Sequence, residues 1–161
     1  MPPTLVNATT PTKVDRISFV IDHAAANPIH LQCVVRTFVH EVSEEDDDVE
    51  TLCNPRGIAP GAAQEVLVSE FLWAHGTTGP WNVLKPLERT VKTFALLKDG
   101  GAAVSVSNPE MSGSVWIPKI PFINGEQIGA SSKVQLRFRI SGIPIYTSTG
   151  SAVYAGHTAP A

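Results

Sequence analysis

The chain is short of charge, of cysteine and of long apolar runs. Charged residues make up 17% of its 161 residues, against roughly 25% in an average globular protein. That shortage argues against a small monomer whose whole surface meets water. The net charge of −3 excludes a strongly basic nucleic-acid binder. Two cysteines, Cys33 and Cys53, are too few for a disulfide scaffold or a four-cysteine zinc site. Neither lies in a CxxC or nucleophile context, so a buried strand cysteine and a loop cysteine are expected, with a disulfide between them as the alternative. No apolar run approaches the roughly 18 residues needed to cross a bilayer, so no membrane partner is expected. The opening residues also lack the basic region and apolar block of a signal peptide, which points to the cytosol.

What is present is a core-forming, turn-rich chain. Hydrophobic residues reach 43%, with 13 Pro and 12 Gly. A single domain of short strands and tight turns fits that balance better than long helices. The first 13 residues hold three prolines and four threonines without periodicity and read as an extended arm. Val14 to Ile21 reads as a strand with Asp15, Ile17, Phe19 and Ile21 on one face. After a polar turn, a second strand runs from Ile29 to Val42. Its Cys33, Val35 and Val39 lie on one face and Val34 and Phe38 on the other, as expected of a strand covered on both sides by a second sheet or another subunit.

Six of the fifteen acids then fall between Ser43 and Glu50, leaving twelve bases against nine acids elsewhere. Such a run repels itself and predicts a mobile acidic loop across 43–61, a finger between two strands. Gln64 to Trp73 resumes strand character. One helix follows, with Thr78 as cap, Pro80 in its first turn, Trp81, Leu84 and Leu87 as its stripe, and Pro86 as its limit. Strands are expected at Val91 to Leu97, Ala103 to Val106 and Met111 to Ile117. The clearest is Lys133 to Ile140: Val134, Leu136, Phe138 and Ile140 face one way, and Lys133, Gln135, Arg137 and Arg139 the other. A last apolar piece, Ile143 to Tyr146, precedes a Gly/Ser/Thr/Ala tail over 147–161 with no evident fold. The sum is mainly β: two packed antiparallel sheets, a β-sandwich or barrel, flanked by one short helix.

Catalytic signals are absent. His23, His30, His40, His75 and His157 form no metal-ligand spacing and read as surface or hydrogen-bonded histidines. The acidic run lacks the spaced carboxylates and turn glycine of a calcium loop. No phosphate-binding glycine loop or serine elbow occurs. Glu65 and Glu70 could flank a cleft as paired carboxylates, but without a partner motif. The expectation is therefore no enzyme, no cofactor and no metal. On the face of Lys133, Arg137 and Arg139 no aromatic is interleaved, so a nucleic-acid platform is disfavoured against a solvated or subunit-facing strand.

Three stretches together carry a resemblance. They are Thr51-Leu52-Cys53-Asn54-Pro55 before the strand Glu65 to Trp73; Gly76-Thr77-Thr78-Gly79-Pro80-Trp81-Asn82-Val83-Leu84; and Gly113-Ser114-Val115-Trp116-Ile117-Pro118 followed by Pro121, Gly125, Gly129, Val134 to Gly142 and Pro144. In this order they resemble the major tail (tail tube) proteins of long-tailed bacteriophages, across roughly residues 14–146. The acidic run and the segment after Tyr146 fall outside the match.

The resemblance implies two packed sheets with a flanking helix, in a structural virion protein that self-assembles into stacked hexameric rings. The stack is the phage tail tube, through which double-stranded DNA leaves the particle. It also implies tape-measure and tail terminator or initiator proteins as partners, a place in the virion tail, and assembly in the host cytoplasm. Segments that order on docking suit ring stacking. The candidates are the arm with Leu5 and Val6, the acidic loop with Glu44, Glu45, Asp46, Asp47, Asp48 and Glu50, and the tail. Trp81 and Leu84 would anchor the helix. Lys133, Gln135, Arg137 and Arg139 would face the lumen or a neighbouring subunit. The alternatives are a capsid decoration or head–tail joining protein and, further off, a metal-binding β-sandwich.

Overall fold

A computed structural model describes residues 16–31, 35–43, 46–49, 57–60, 64–122 and 132–158. The arm over 1–13, with Leu5 and Val6, lies outside the described residues, as do Cys33, Glu44, Glu45, Glu50 and Cys53. The described strands are β1 (Ser18–Ile21), β2 (Ile29–His30), β3 (Val35–Ser43), β4 (Asp46–Val49), β5 (Gly57–Pro60), β6 (Gln64–Leu72), β7 (Val91–Leu97), β8 (Glu110–Trp116) and β9 (Lys133–Thr147). One helix, α1 (Pro80–Leu84), runs into a 3-10 turn at Lys85–Leu87, and a second 3-10 turn lies at Ala155–Thr158.

Seven strands form one antiparallel sheet in the order β2-β1-β7-β8-β9-β6-β3. The sheet curls. Phe19 of β1 meets Phe138 of β9 at 5.6 Å and Phe38 of β3 at 5.1 Å, although β3 lies at the far edge. The two packed layers expected are thus two halves of one sheet folded face to face. Between them lie Phe19, Leu67, Phe71, Phe94, Val115, Val134, Leu136 and Phe138, all buried. The edge-to-face contact of Phe138 with Phe19 joins the two halves, and Phe71 on the neighbouring strand β6 packs edge-on beside it.

The period-two pattern of β9 is realised residue for residue: 134, 136, 138 and 140 are buried and 133, 135, 137 and 139 exposed. Gly142 does not end the strand. It adopts φ +82° inside a bulge, where the register steps from Ser114↔Ser141 to Ser112↔Ile145, and β9 continues to Thr147. A glycine takes that angle without Cβ strain.

Other expectations are corrected by packing. β1 is buried on both faces rather than one, because the C-terminal turn closes over Ser18. Gly100 lies so close to that residue that a Cβ on it would stand 2.7 Å from the Cβ of Ser18. The long second strand is divided into β2 and β3. β3 is an edge strand, largely exposed in the single chain, with no second sheet over Val39 and Val42 among the described residues. Residues 103–106 are a turn and not a strand. The Asn108 amide donates to the carbonyls of Asp99 at 3.0 Å and Ala103 at 3.2 Å, taking the place of a ladder.

The loop expected over 43–61 contains the antiparallel pair β4 and β5, nested beyond the β3–β6 hairpin. Its register sets Asp46, Asp47 and Asp48 opposite Pro60, Ala59 and Ile58. No acid of β4 is therefore in register with another acid across the ladder. The tail is corrected too: residues 148–158 fold back, with His157 only 2% exposed.

Candidate assembly surfaces

The exposed face of β9 carries the four residues picked out by alternation. Lys133 and Gln135 stand opposite Leu72 and Glu70 of β6, and Arg137 and Arg139 opposite Val68 and Val66. Glu41, one strand further on β3, forms a salt bridge with Arg137 across β6. Glu65 and Glu70 project to opposite faces of β6, so they do not flank one cleft. Glu65 instead accepts a hydrogen bond from His40 at 2.8 Å. Among the described residues Lys133 and Arg139 have no carboxylate partner.

Arg139 sits beside an apolar pair. Register places it next to Trp116 of β8, and Trp116 next to Val91 of β7. Trp116 is 44% and Val91 49% exposed. With Ser141 and Gly142 they line a shallow hollow of about 480 Å³. Past the bulge the exposed positions of β9 turn apolar, with Ile143 93% and Ile145 63% exposed. A tryptophan and an arginine side by side on an open strand face are typical interface anchors.

The helix is anchored unevenly. Leu84 is fully buried in the core, whereas Trp81 is half-buried at its rim. Trp81 stacks edge-on to Phe122 at 5.5 Å and against His75 at 5.5 Å. The cap is Gly79, not Thr78. Asn82 does the holding, its amide donating to the carbonyls of His75 and, at 2.8 Å, Gly76. At the far end Glu88 accepts from Lys85 at 2.8 Å and from the Ile120 amide at 3.1 Å. The Lys85 hydrogen bond, more than the Ile120 one, holds the Glu88 carboxyl below its usual pKa.

A polar cluster that the sequence did not signal lies under the C-terminal turn. Glu110 at the start of β8 is fully buried. It accepts from the amides of Val153 at 2.7 Å and Tyr154 at 3.3 Å. The same carboxylate lies 2.7 Å from His157 Nε2, and His157 Nδ1 lies 2.7 Å from the Ser18 hydroxyl. Serine, histidine and carboxylate in line are the components of a nucleophilic triad. Here all three are at most 2% exposed, which denies a substrate the serine oxygen. The trio fastens the chain end. Separations of 47 and 139 residues gave no local pattern by which to find it.

Of the other histidines, His30 bonds the Tyr154 hydroxyl at 2.7 Å and His75 the Phe122 carbonyl at 2.9 Å. His23 packs its ring against Tyr154. Among the described residues no group of three or more His, Cys, Asp or Glu is placed to hold a metal ion. None of the helices among them is long and apolar enough to cross a membrane.

The fold is therefore mainly β, a curled antiparallel sheet with one short helix. Neither a protein-family model nor a curated protein matches the sequence. Solved structures do. The chain superposes on the SPP1 tail tube, solved by solid-state NMR and cryo-electron microscopy, with TM-score 0.62 at 11% identity, covering 86% of this chain and 80% of that one. It superposes on the tail of an empty GTA particle, refined with helical C6 symmetry, with TM-score 0.55 at 12% identity, covering 82% and 96%. The anti-feeding prophage baseplate follows at TM-score 0.45 and 12% identity, covering 87% and 97%. The chain has the fold of phage tail tube proteins.

Proposed function

We propose that this chain is a structural, non-catalytic subunit of a phage tail, forming hexameric rings that stack into the tube through which double-stranded DNA is ejected. The observation that carries the reading is the tail-tube fold spanning most of the chain. An exposed face with Trp116, Val91, Ile143 and Ile145 supports self-assembly, since open apolar strand surface is costly in a protein that stays monomeric. A closed ring needs one head-to-tail contact, and stacking needs a second surface.

We assign the β7–β9 face to the ring contact. A bore that lets DNA slide should not grip phosphates. Lys133 and Arg139 lack carboxylate partners among the described residues, and Arg139 stands beside the exposed Trp116, which suits a neighbouring subunit better than passing DNA. The arm at 1–13, the acidic hairpin and the chain end are assigned to ring stacking and to contacts with tape-measure, terminator or initiator proteins. The assembled protein belongs in the virion tail, built in the host cytoplasm.

Negative-stain electron microscopy across a concentration series tests the reading: six-fold rings or tubes are expected. Particles that stay monomer-sized at all concentrations and coat only added capsids would instead identify a decoration protein. The hairpin makes a separate prediction. Excising 46–60 and closing the gap with a short glycine turn should leave the β3–β6 ladder and the thermal midpoint nearly unchanged, because β4 and β5 pair only with each other. Ring stacking should change in length or be lost. Tubes identical to the parent's would remove the hairpin from the stacking contact.

A further inference from the structure

We propose that residues 148–158 are a detachable strap, locked onto the sheet by the Glu110–His157–Ser18 contact and released when the imidazole at its centre takes up a proton. This inference stands apart from the tail-tube reading, since it rests only on how the chain end is held.

The strap is fastened by side chains rather than by a strand ladder. One buried carboxylate, Glu110, collects the amides of Val153 and Tyr154 and the imidazole of His157. Both bonds of His157 are satisfied by a single neutral tautomer: Nε2–H donates to Glu110, and the Nδ1 lone pair accepts from the Ser18 hydroxyl. Protonation puts a second hydrogen on Nδ1, aimed at the Ser18 oxygen, so the hydroxyl loses its acceptor. It also creates a cation in a site 2% exposed.

The groups facing His157 come from three elements. Glu110 on β8 favours the charged imidazole. His23 and His30, on the β1–β2 turn and on β2, gather around Tyr154 of the strap and oppose a further positive charge. Burial is the largest influence and outweighs Glu110, so His157 sits below its ordinary value of 6.5. A histidine that binds protons more readily when free than when docked favours docking at high pH. Docking is therefore at full strength above about 6.5 and weakens as pH falls below it. The connection from β9 passes through bends at 149–151, with Gly150 at φ +82°. Release would uncover Ser18 and Glu110 on the faces of β1 and β8.

Amide hydrogen exchange on the full chain, with ring-nitrogen NMR of His157, tests the lock. Between pH 7.5 and 5.5, protection of Val153 and Tyr154 should fall after correction for intrinsic rates, by at most about tenfold, the limit set when only the free histidine binds the proton near 6.5. The fall should set in as pH drops through the free histidine's value near 6.5, above the pH at which the docked ring of His157 itself titrates, while the amides of β6 and β9 stay protected. His157→Gln offers one donor and one acceptor without titrating, so its strap should be held equally at both pH values. Protection that is independent of pH in the parent would overturn the proposal. So would His157→Gln losing protection with the parent's pH dependence. Should that variant fail to dock at any pH, a chain with His23→Gln and His30→Gln decides: strap protection that no longer depends on pH there would also overturn the lock.

Discussion

A Trp116→Glu chain should fold as the parent does and fail to form tubes. Trp116 is 44% exposed on the outer face of β8, so its replacement disturbs little of the core. Its cross-strand neighbours are Val91 and Arg139, and a glutamate there can pair with Arg139 in the free protomer. The protomer should lose less than about 1 kcal/mol. At a subunit contact the same change removes an aromatic anchor and buries a carboxylate. Truncating such an anchor typically costs 2 kcal/mol or more, so the concentration needed for assembly should rise by about 30-fold at least. Sedimentation velocity and negative-stain imaging at matched concentrations read both halves of this expectation. Normal tubes from Trp116→Glu would move the ring contact to another face, and would return the strip of Lys133, Gln135, Arg137 and Arg139 to the lumen.

The second large effect concerns the meeting of the two halves of the sheet. Phe138 is fully buried and packs edge-to-face with Phe19 and Phe71. Phe138→Ala should cost about 3–5 kcal/mol through lost burial and the cavity left behind. That is a large share of the 5–15 kcal/mol typical of a whole domain. The melting temperature should drop by about 6–20 °C, at roughly 2–4 °C per kcal/mol for a chain of this size. Phe122→Ala, at a ring 59% exposed, is the control and should cost under about 1 kcal/mol. Equal melting of the two variants would mean that the halves are not joined at Phe138.

Both predictions rest on β8 and β9, and the sequence treats these strands differently from their surroundings. The faces of Lys133 to Ile140 follow from alternation alone, because a strand turns successive side chains to opposite sides whatever it packs against. The same parity separates Glu65 from Glu70, which accords with their lack of a partner motif. The helix is legible from Pro80 and Leu84, yet its capping is not. Asn82 reaches back to two carbonyls that become neighbours only once the 75–79 turn has formed. The acidic run was misleading for a related reason. Six acids repel as a free segment, but three of them, Asp46, Asp47 and Asp48, are paired along a ladder opposite Pro60, Ala59 and Ile58.

Composition and period-two pattern were sufficient for a mainly β chain with one short helix, and for the polar face of β9, because those features depend on each residue and its nearest neighbours. Tertiary structure alone decided that the two layers are one curled sheet, that Trp116 and Arg139 stand together, and that residues 148–158 are fastened to Glu110. Each of these joins residues far apart in the chain, and the free energy that joins them comes from burial and hydrogen bonds that do not exist until the sheet has closed.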